Sequence, residues 1–466
     1  MYGGVSGGGS LRAILVSVGL LAAAVPAWSA DLGGNCCSDL EERVAELEAT
    51  TARKGNRKVS LEVSGHINEG VLFWDDGWES NAYVVTNDNS RSRFRFRGKA
   101  KINSDWEAGY RLEIGVRSSN SKRFTQSGTV AAAFDLRDSH WYVKSKTYGT
   151  VAVGLQSTAT DGITEINQAQ TRDFAKYSDI EDTGLGLNLR RRDGALATST
   201  AGGASAYSYY TLLGGYGDQP GDGEKRFNGV RYTTPEISGF TASAFWGQDD
   251  YWDVSLAYSG EHAGFKIEAG LGYGEITDGT QTQTACASIG GVVVGSNADA
   301  KCSQFGGSLS VLHSETGLYA NFAAGIKKDD LINQTNLFSL RNANDEQTFW
   351  AAEVGIERKW NSLGKTTVYG QYYHYEGGGS SRRIAGAFAG TANAAAVVET
   401  GVESYGFGLA QGIDAAALTL YLSYRHVEGE LGVVNTDGAG RAVAGAASGV
   451  PLEDLNLVFA GGIIKF

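Results

Sequence analysis

The amino-acid sequence predicts an all-β fold: a transmembrane antiparallel β-barrel of sixteen strands, or eighteen, behind a short N-terminal periplasmic helix. Three observations carry the prediction. From residue 59 onward, apolar and polar side chains alternate with a period of two through segment after segment, the spacing of strands with two unlike faces. Only four of the 466 residues are proline, and Pro26, Pro220, Pro235 and Pro451 fall in the leader or at turns and loops, so no strand interior loses a ladder donor. After residue 30 no apolar run approaches the roughly 20 residues that a spanning helix needs. Membrane residence must then rest on strands, and only a closed barrel pairs every backbone amide that lipid cannot solvate.

The elements follow in chain order. Residues 1–30 hold one early cation, Arg12, the apolar run "AILVSVGLLAAAVPA" and the small-residue tail "AWSA", the pattern of a signal peptide cleaved near Ser29 or Ala30. Residues 31–57 form a periplasmic segment in which Leu40, Val44, Leu47 and Thr51 mark the seam of a short coiled coil. Two heptads are marginal alone. The segment is therefore either a stalk that helps chains trimerise or a partly frayed helix. Residues 58–466 are the barrel.

The barrel opens with "VSLEVSGHI" and then "SRSRFRFRGKAKI", residues 90 to 102, where Arg91, Arg93, Arg95, Arg97, Lys99 and Lys101 take every second position. An arginine or lysine facing lipid at the bilayer midplane costs about 2 to 4 kcal/mol. A whole row of them excludes that register, so the cations face a wet interior and Phe94 and Phe96 face outward. A tight turn, "NSD", joins this strand to "DWEAGYRLEIGVRS", which places Trp106, Ala108, Tyr110, Leu112, Ile114 and Val116 on one face and Glu107, Arg111, Glu113 and Arg117 on the other.

Short turns follow at 147–149, 233–239, 259–264, 313–317, 361–365 and 412–414, and long connections at 75–90, 118–136, 157–182, 275–304, 328–346, 377–402 and 428–453. Short turns at one rim and long loops at the other describe an outer-membrane barrel. The segments "TGLGLNLRRRD" (183–193) and "AYSYYTLLGGYG" (206–217) give eighteen strands if both join the wall and sixteen if both belong to one inserted loop. Trp74, Trp106, Trp141, Trp252 and Trp360 lie near strand ends, where an interfacial belt takes amphipathic rings. The last strand, "LNLVFAGGIIKF", must pair with the first to close the cylinder.

The loop at about 157–182 carries Asp161, Glu165, Asp173 and Asp179. Folded inward, it would set these carboxylates opposite the cationic row, and facing charge rows select permeants by size and sign. Cys286 and Cys302 are candidates for a disulfide within a loop, worth about 3 kcal/mol in an oxidising compartment; the role of the adjacent Cys36 and Cys37 stays open.

Composition narrows the function classes. Lysine and arginine total 40 against 52 acidic residues, a net charge of -12, which disfavours a general nucleic-acid binder. The six histidines, at 66, 140, 262, 313, 374 and 426, are scattered singly, with no metal-ligand cluster and no nucleophile and base in recognisable spacing. No catalytic residue, cofactor or metal is expected. A display barrel serving as receptor or adhesin remains the first alternative to a channel, an outer-membrane hydrolase the second.

The signal followed by the cysteine pair, "SDLEERVAELEATTARKGNRKVSLEVSGHIN", the arginine ladder, the hairpin "NSDWEAGYRLEIG" and the terminal Phe466 together resemble the alphaproteobacterial porins typical of rhizobia and their relatives. The resemblance implies a homotrimeric barrel in the outer-membrane lipid through which small hydrophilic solutes and ions diffuse, its third long loop narrowing each pore. It places Arg91, Arg93, Arg95 and Arg97 at the constriction, with Asp161, Glu165 and Asp173 facing them; Lys99 and Arg111, on the polar faces of the same hairpin, are read as pore-lining beside them. It also implies that the barrel assembly machinery reads the C-terminal Phe466.

Overall fold

A computed structural model describes residues 58–198, 206–213, 219–223, 226–247, 250–277, 301–330, 344–377, 383–391, 394–437, 443 and 445–466. The chain divides into two units, Met1–Gly55 and Asn56–Phe466. The expected signal peptide and helical segment, with Cys36, Cys37 and Cys286, lie outside the described residues.

The strands are β1 (Glu62–Asp75), β2 (Ser80–Thr86), β3 (Arg93–Lys101), β4 (Trp106–Arg117), β5 (Ala133–Ser145), β6 (Gly149–Gln156), β7 (Phe227–Thr233), β8 (Phe240–Gly247), β9 (Tyr251–His262) and β10 (Phe265–Ile276). They continue as β11 (Cys302–His313), β12 (Leu318–Asp329), β13 (Glu346–Arg358), β14 (Thr366–Gly377), β15 (Arg383–Ile384), β16 (Ala395–Ile413), β17 (Leu418–Asn435), β18 (Ser448–Gly449) and β19 (Leu455–Lys465). All belong to one sheet of 19 strands.

The sheet closes on itself. The final strand β19 pairs antiparallel with β1, His66 opposite Lys465 and Asp75 opposite Asn456. Beyond the last ladder residue, Gly65 and Phe466 exchange both backbone hydrogen bonds, at 2.9 and 3.0 Å. Both β2 and β3 pair with β1, on its second and first halves respectively, and so share one place in the wall. The two-residue strands β15 and β18 are extras beside β16 and β17. The wall therefore has sixteen places, all antiparallel. The described residues of the segments 183–193 and 206–217 are not wall strands: both lie in the connection between β6 and β7, held to each other by the bridge of Asn188 and Ser208. After that bridge the chain makes a single helical turn, α1 (Tyr209–Leu212).

Three expected long connections are shorter than the sequence suggests. The stretch from 75 to 90 is a tight turn followed by β2, because Asp76 Oδ1 accepts from the Trp78 and Glu79 amides at 3.2 and 2.8 Å while Gly77 adopts a φ of 82°. Wall strands β16 and β17 reach further toward the long-loop rim than 402 and 428, because the β-branched runs "AAVVET" and "GVVN" continue the ladder, Ala395 opposite Asn435.

The outer face is apolar: Val84, Phe134, Trp246, Val354 and Phe407 are each more than 60% exposed, as an unpaired surface in contact with lipid requires. Trp141, Trp252 and Trp360 are also exposed, at 53%, 37% and 53%, and Trp106 stacks on Tyr148 at 6.1 Å. Trp74 does not belong to an outer belt. Its parity matches buried Leu72, it pairs with buried Leu457, and it packs inside against Tyr83 at 6.1 Å. Cys302, the first residue of β11, is buried and disulfide-bonded.

Candidate pore and its charged wall

The alternation of β3 decides the faces. Arg93, Arg95 and Arg97 lie opposite His66, Ser64 and Glu62 of β1 and opposite Gly115, Glu113 and Arg111 of β4. Phe94 and Phe96 share the other face with Ile114, Leu112 and Val63, the last 53% exposed, and meet edge to face at 5.7 Å.

Glu113 is the centre of the cationic face. Its side chain is fully buried, and its two oxygens take four arginines from three strands. Oε1 accepts from Arg93 Nη1 at 3.1 Å and Arg137 Nε at 2.8 Å, and Oε2 from Arg95 Nε at 2.6 Å and Arg111 Nη2 at 2.7 Å. A register shift in the pairing of β4 with β5, between Glu113 and Ile114, lets Arg137 join this face; a bulge of this kind re-aims one side chain without ending the ladder. Gly115 makes the space. A Cβ there would lie 2.8 Å from Asp135 Oδ1 and about as close to the chains of Arg137 and Arg91, at 3.1 and 3.2 Å.

The row continues at both ends. Arg91 pairs with Asp88 and Asp135, each at 2.9 Å, Arg117 with Asp135 at 3.3 Å, and Arg111 also with Asp138 at 3.1 Å. Toward the short-turn rim Arg97 pairs with Glu62, both half exposed, and Lys99 is exposed beyond them.

In the connection between β6 and β7, residues 157–182 run across the inner face as a belt. The Ala159 and Thr160 amides donate to Asp253 of β9, both at 2.9 Å. Ile166 and Gln168 amides donate to the hydroxyls of Ser308 and Ser310 on β11, at 3.1 and 3.2 Å. Thr171 Oγ1 donates to Glu353 of β13 at 2.7 Å, and Gln371 of β14 donates to the Ala175 carbonyl at 2.6 Å. Arg425 of β17 donates to the Ile180 carbonyl at 3.0 Å. The anchors are inward side chains on five strands met in chain order, β9, β11, β13, β14 and β17, so the wall dictates the belt's course. Phe174 then stacks on Tyr421 with ring centres 4.8 Å apart and planes 7° from parallel.

The loop carboxylates named from the sequence have partners of their own. Asp161 pairs with Arg226 at 3.0 Å, Glu165 with Lys176 at 2.5 Å and Asp173 with Lys465 at 2.5 Å. Of the three, Asp173 sits beside the start of the ladder, since Asn68 Nδ2 donates to the carbonyls of both Ser90 and Asp173 at 3.0 and 3.1 Å. The direct partners of the ladder are instead Glu113, Asp88, Asp135 and Glu62. Sequence reasoning placed Glu113 on the polar face without a role; its position opposite Arg95 across a tight hairpin was the available signal. Arg137, Asp253 and Glu353 had no comparable signal.

Among the described residues, Asp179, Glu181 and Asp182 bring carboxylate oxygens within 4.8 Å of one another, the one grouping with a metal-like donor set. Lys122 reaches Glu181 and Asp182 at 3.2 and 3.3 Å, and Lys176 reaches Asp179 at 3.0 Å, so ammonium groups already supply the countercharge. Burial, with Asp179 adjacent, pushes the Glu181 carboxyl well above the usual carboxylate range despite Lys122.

The later part of the same connection meets the long-loop rim. Arg190, itself buried, pairs with buried Asp76 at 3.0 Å and with Glu79 at 2.8 Å, and Tyr209 donates to the Glu453 carbonyl at 2.5 Å.

An outward apolar band, a closed antiparallel wall and a charged interior together define a channel-type barrel of the Gram-negative outer membrane. The profile of Gram-negative porins matches residues 16–448, and the chain belongs to that family: it is an outer-membrane porin, a transport channel. The fold is similar to that of the anion-selective porin from Comamonas acidovorans, at 15% identity and a TM-score of 0.51, covering 88% of this chain and 100% of that one. OprB of Pseudomonas putida is similar at 11% identity and a TM-score of 0.49, covering 92% and 97%. OmpT of Vibrio cholerae follows at 14% identity and 0.48, covering 89% and 99%. The chain matches no curated protein sequence.

Proposed function

We propose that the pore passes small hydrophilic solutes by diffusion along the cationic wall of β3 to β5, with a preference for anions, and that the belt at about 157–182 narrows it. The observation that carries this reading is the ratio at Glu113, four guanidiniums on one carboxylate, which leaves positive charge in excess where the wall is wet. The pore-lining residues are then Arg91, Arg93, Arg95, Arg97, Lys99 and Arg111, joined by Arg137, with Asp161 and Asp173 bordering the same space and Glu165 behind them on Lys176. The similar fold in Comamonas acidovorans is that of an anion-selective porin, which accords with the sign.

The reading includes a homotrimer of the alphaproteobacterial, rhizobial type, as the N-terminal sequence suggests, and a barrel delivered to the membrane through recognition of Phe466. It assigns no catalytic activity. His66 Nε2 lies 3.1 and 3.0 Å from the carbonyls of Ser90 and Arg91, contacts that need a proton on that nitrogen and leave it unable to act as a base toward Ser90.

Reversal potentials across a planar bilayer in a potassium chloride gradient test the proposal. The expected result is steady conductance with chloride favoured over potassium. Cation preference would refute the sign, and absence of steady conductance would favour a display barrel.

A further inference from the structure

The four arginines around Glu113 do not occupy equivalent positions. Arg93 and Arg137, both on Oε1, have side chains only 13% and 12% exposed, whereas Arg95 and Arg111, both on Oε2, are 27% and 36% exposed. One oxygen holds a rear pair against the wall and the other presents a front pair to the interior. Four like charges drawn from β3, β4 and β5 repel at such separations, and a guanidinium on a long side chain relieves that repulsion by swinging into water. The carboxylate opposes the swing at both pairs.

We infer that Glu113 is a positioning residue for selectivity: it sets which guanidiniums line the pore and how far they project, and so acts through geometry in addition to its own charge. The inference rests on the anion-preferring reading for the sign of selectivity, but its core, the dependence of permeation on the placement of the carboxylate, stands apart from that sign.

Asp138 supplies the comparison, since it is also buried on the same face but contacts the array through Arg111 alone among its four arginines. If charge alone mattered, Glu113→Gln and Asp138→Asn would each remove one negative charge and move the reversal potential equally toward anions, and Glu113→Asp would change nothing. If Glu113 positions the array, Glu113→Asp, which keeps the charge but withdraws it by one methylene, should lower the chloride-to-potassium permeability ratio about twofold, as expected for a displaced charged constriction. Glu113→Gln should further reduce open-channel conductance and broaden its distribution as the rear pair swings inward, while Asp138→Asn keeps a single conductance level.

Single-channel recordings on wild type and the three variants, each first checked for a folded, heat-modifiable barrel, decide the matter. Glu113→Asp indistinguishable from wild type, or Glu113→Gln indistinguishable from Asp138→Asn, would overturn the inference. Should Glu113→Gln fail to fold, the comparison of Glu113→Asp with wild type decides alone. Failure of Glu113→Asp to fold as well would make the carboxylate a structural prop and also overturn it. Cation preference in wild type would refute the sign proposed above while leaving these contrasts to judge Glu113.

Discussion

The interior has two unlike walls built from the same alternation. On β3 to β5 the inward residues are arginines held by carboxylates, partly exposed and without an apolar cover. On β12 to β19 they are largely aromatic: Tyr319, Phe349, Tyr369, Tyr373, Tyr375, Tyr421 and Phe459 are buried in one cluster with Phe174, Tyr177 and Ile180 of the belt. Apolar surface gains by leaving water, whereas guanidiniums need water or paired charge to be tolerated. The belt therefore lies against the aromatic wall, while Arg95 and Arg111 on the cationic wall stay partly exposed.

The contrast can be broken most severely from the packed side. Phe174→Ala removes a ring that stacks on Tyr421 and meets Tyr369 at 6.2 Å, and should destabilise the packing of the belt by about 3 to 5 kcal/mol. Amide exchange at residues 170 to 180 should accelerate and conductance should rise; unchanged exchange would mean that the hydrogen bonds to Asp253, Ser308 and Glu353 alone hold the belt. On the charged side, neutralising Arg93, Arg95 and Arg97 together should shift selectivity toward cations with assembly intact, because Glu113 keeps Arg111 and Arg137 as partners. An unchanged reversal potential would place the permeation path elsewhere. The smallest effect belongs to Arg97→Gln alone. Its pair with Glu62 is half exposed, solvent screens it, and thermal stability should not change measurably; a selectivity shift as large as that of the triple variant would move the narrow point down to the short-turn rim.

Much of the fold was legible because a strand's two faces follow from its covalent geometry. The parity of Arg93, Arg95 and Arg97 against Phe94 and Phe96 is set by the chain itself, and the cost of a cation in lipid says which parity turns inward. Trp74 shows where such reasoning weakens. Its place near a strand end suggested an outer belt, but its parity with Leu72 puts it inside. The turn at 76–79 was hidden for a different reason, since two aspartates and a glycine can open a long loop or close a tight hairpin, and only the pairing of β2 with β1 selects the hairpin.

The sequence by itself determined the alternation, the hairpin rhythm and the inward direction of the arginine row, because each depends on neighbours along the chain and on the solvent at each face. The tertiary structure alone decided that Glu113 gathers four arginines, that a bulge brings Arg137 among them, and that Asp161, Glu165 and Asp173 answer to Arg226, Lys176 and Lys465. Those choices join residues separated by up to 292 positions, and no local pattern specifies which of many like charges will meet once the register of a closed wall and the course of a belt across it are set.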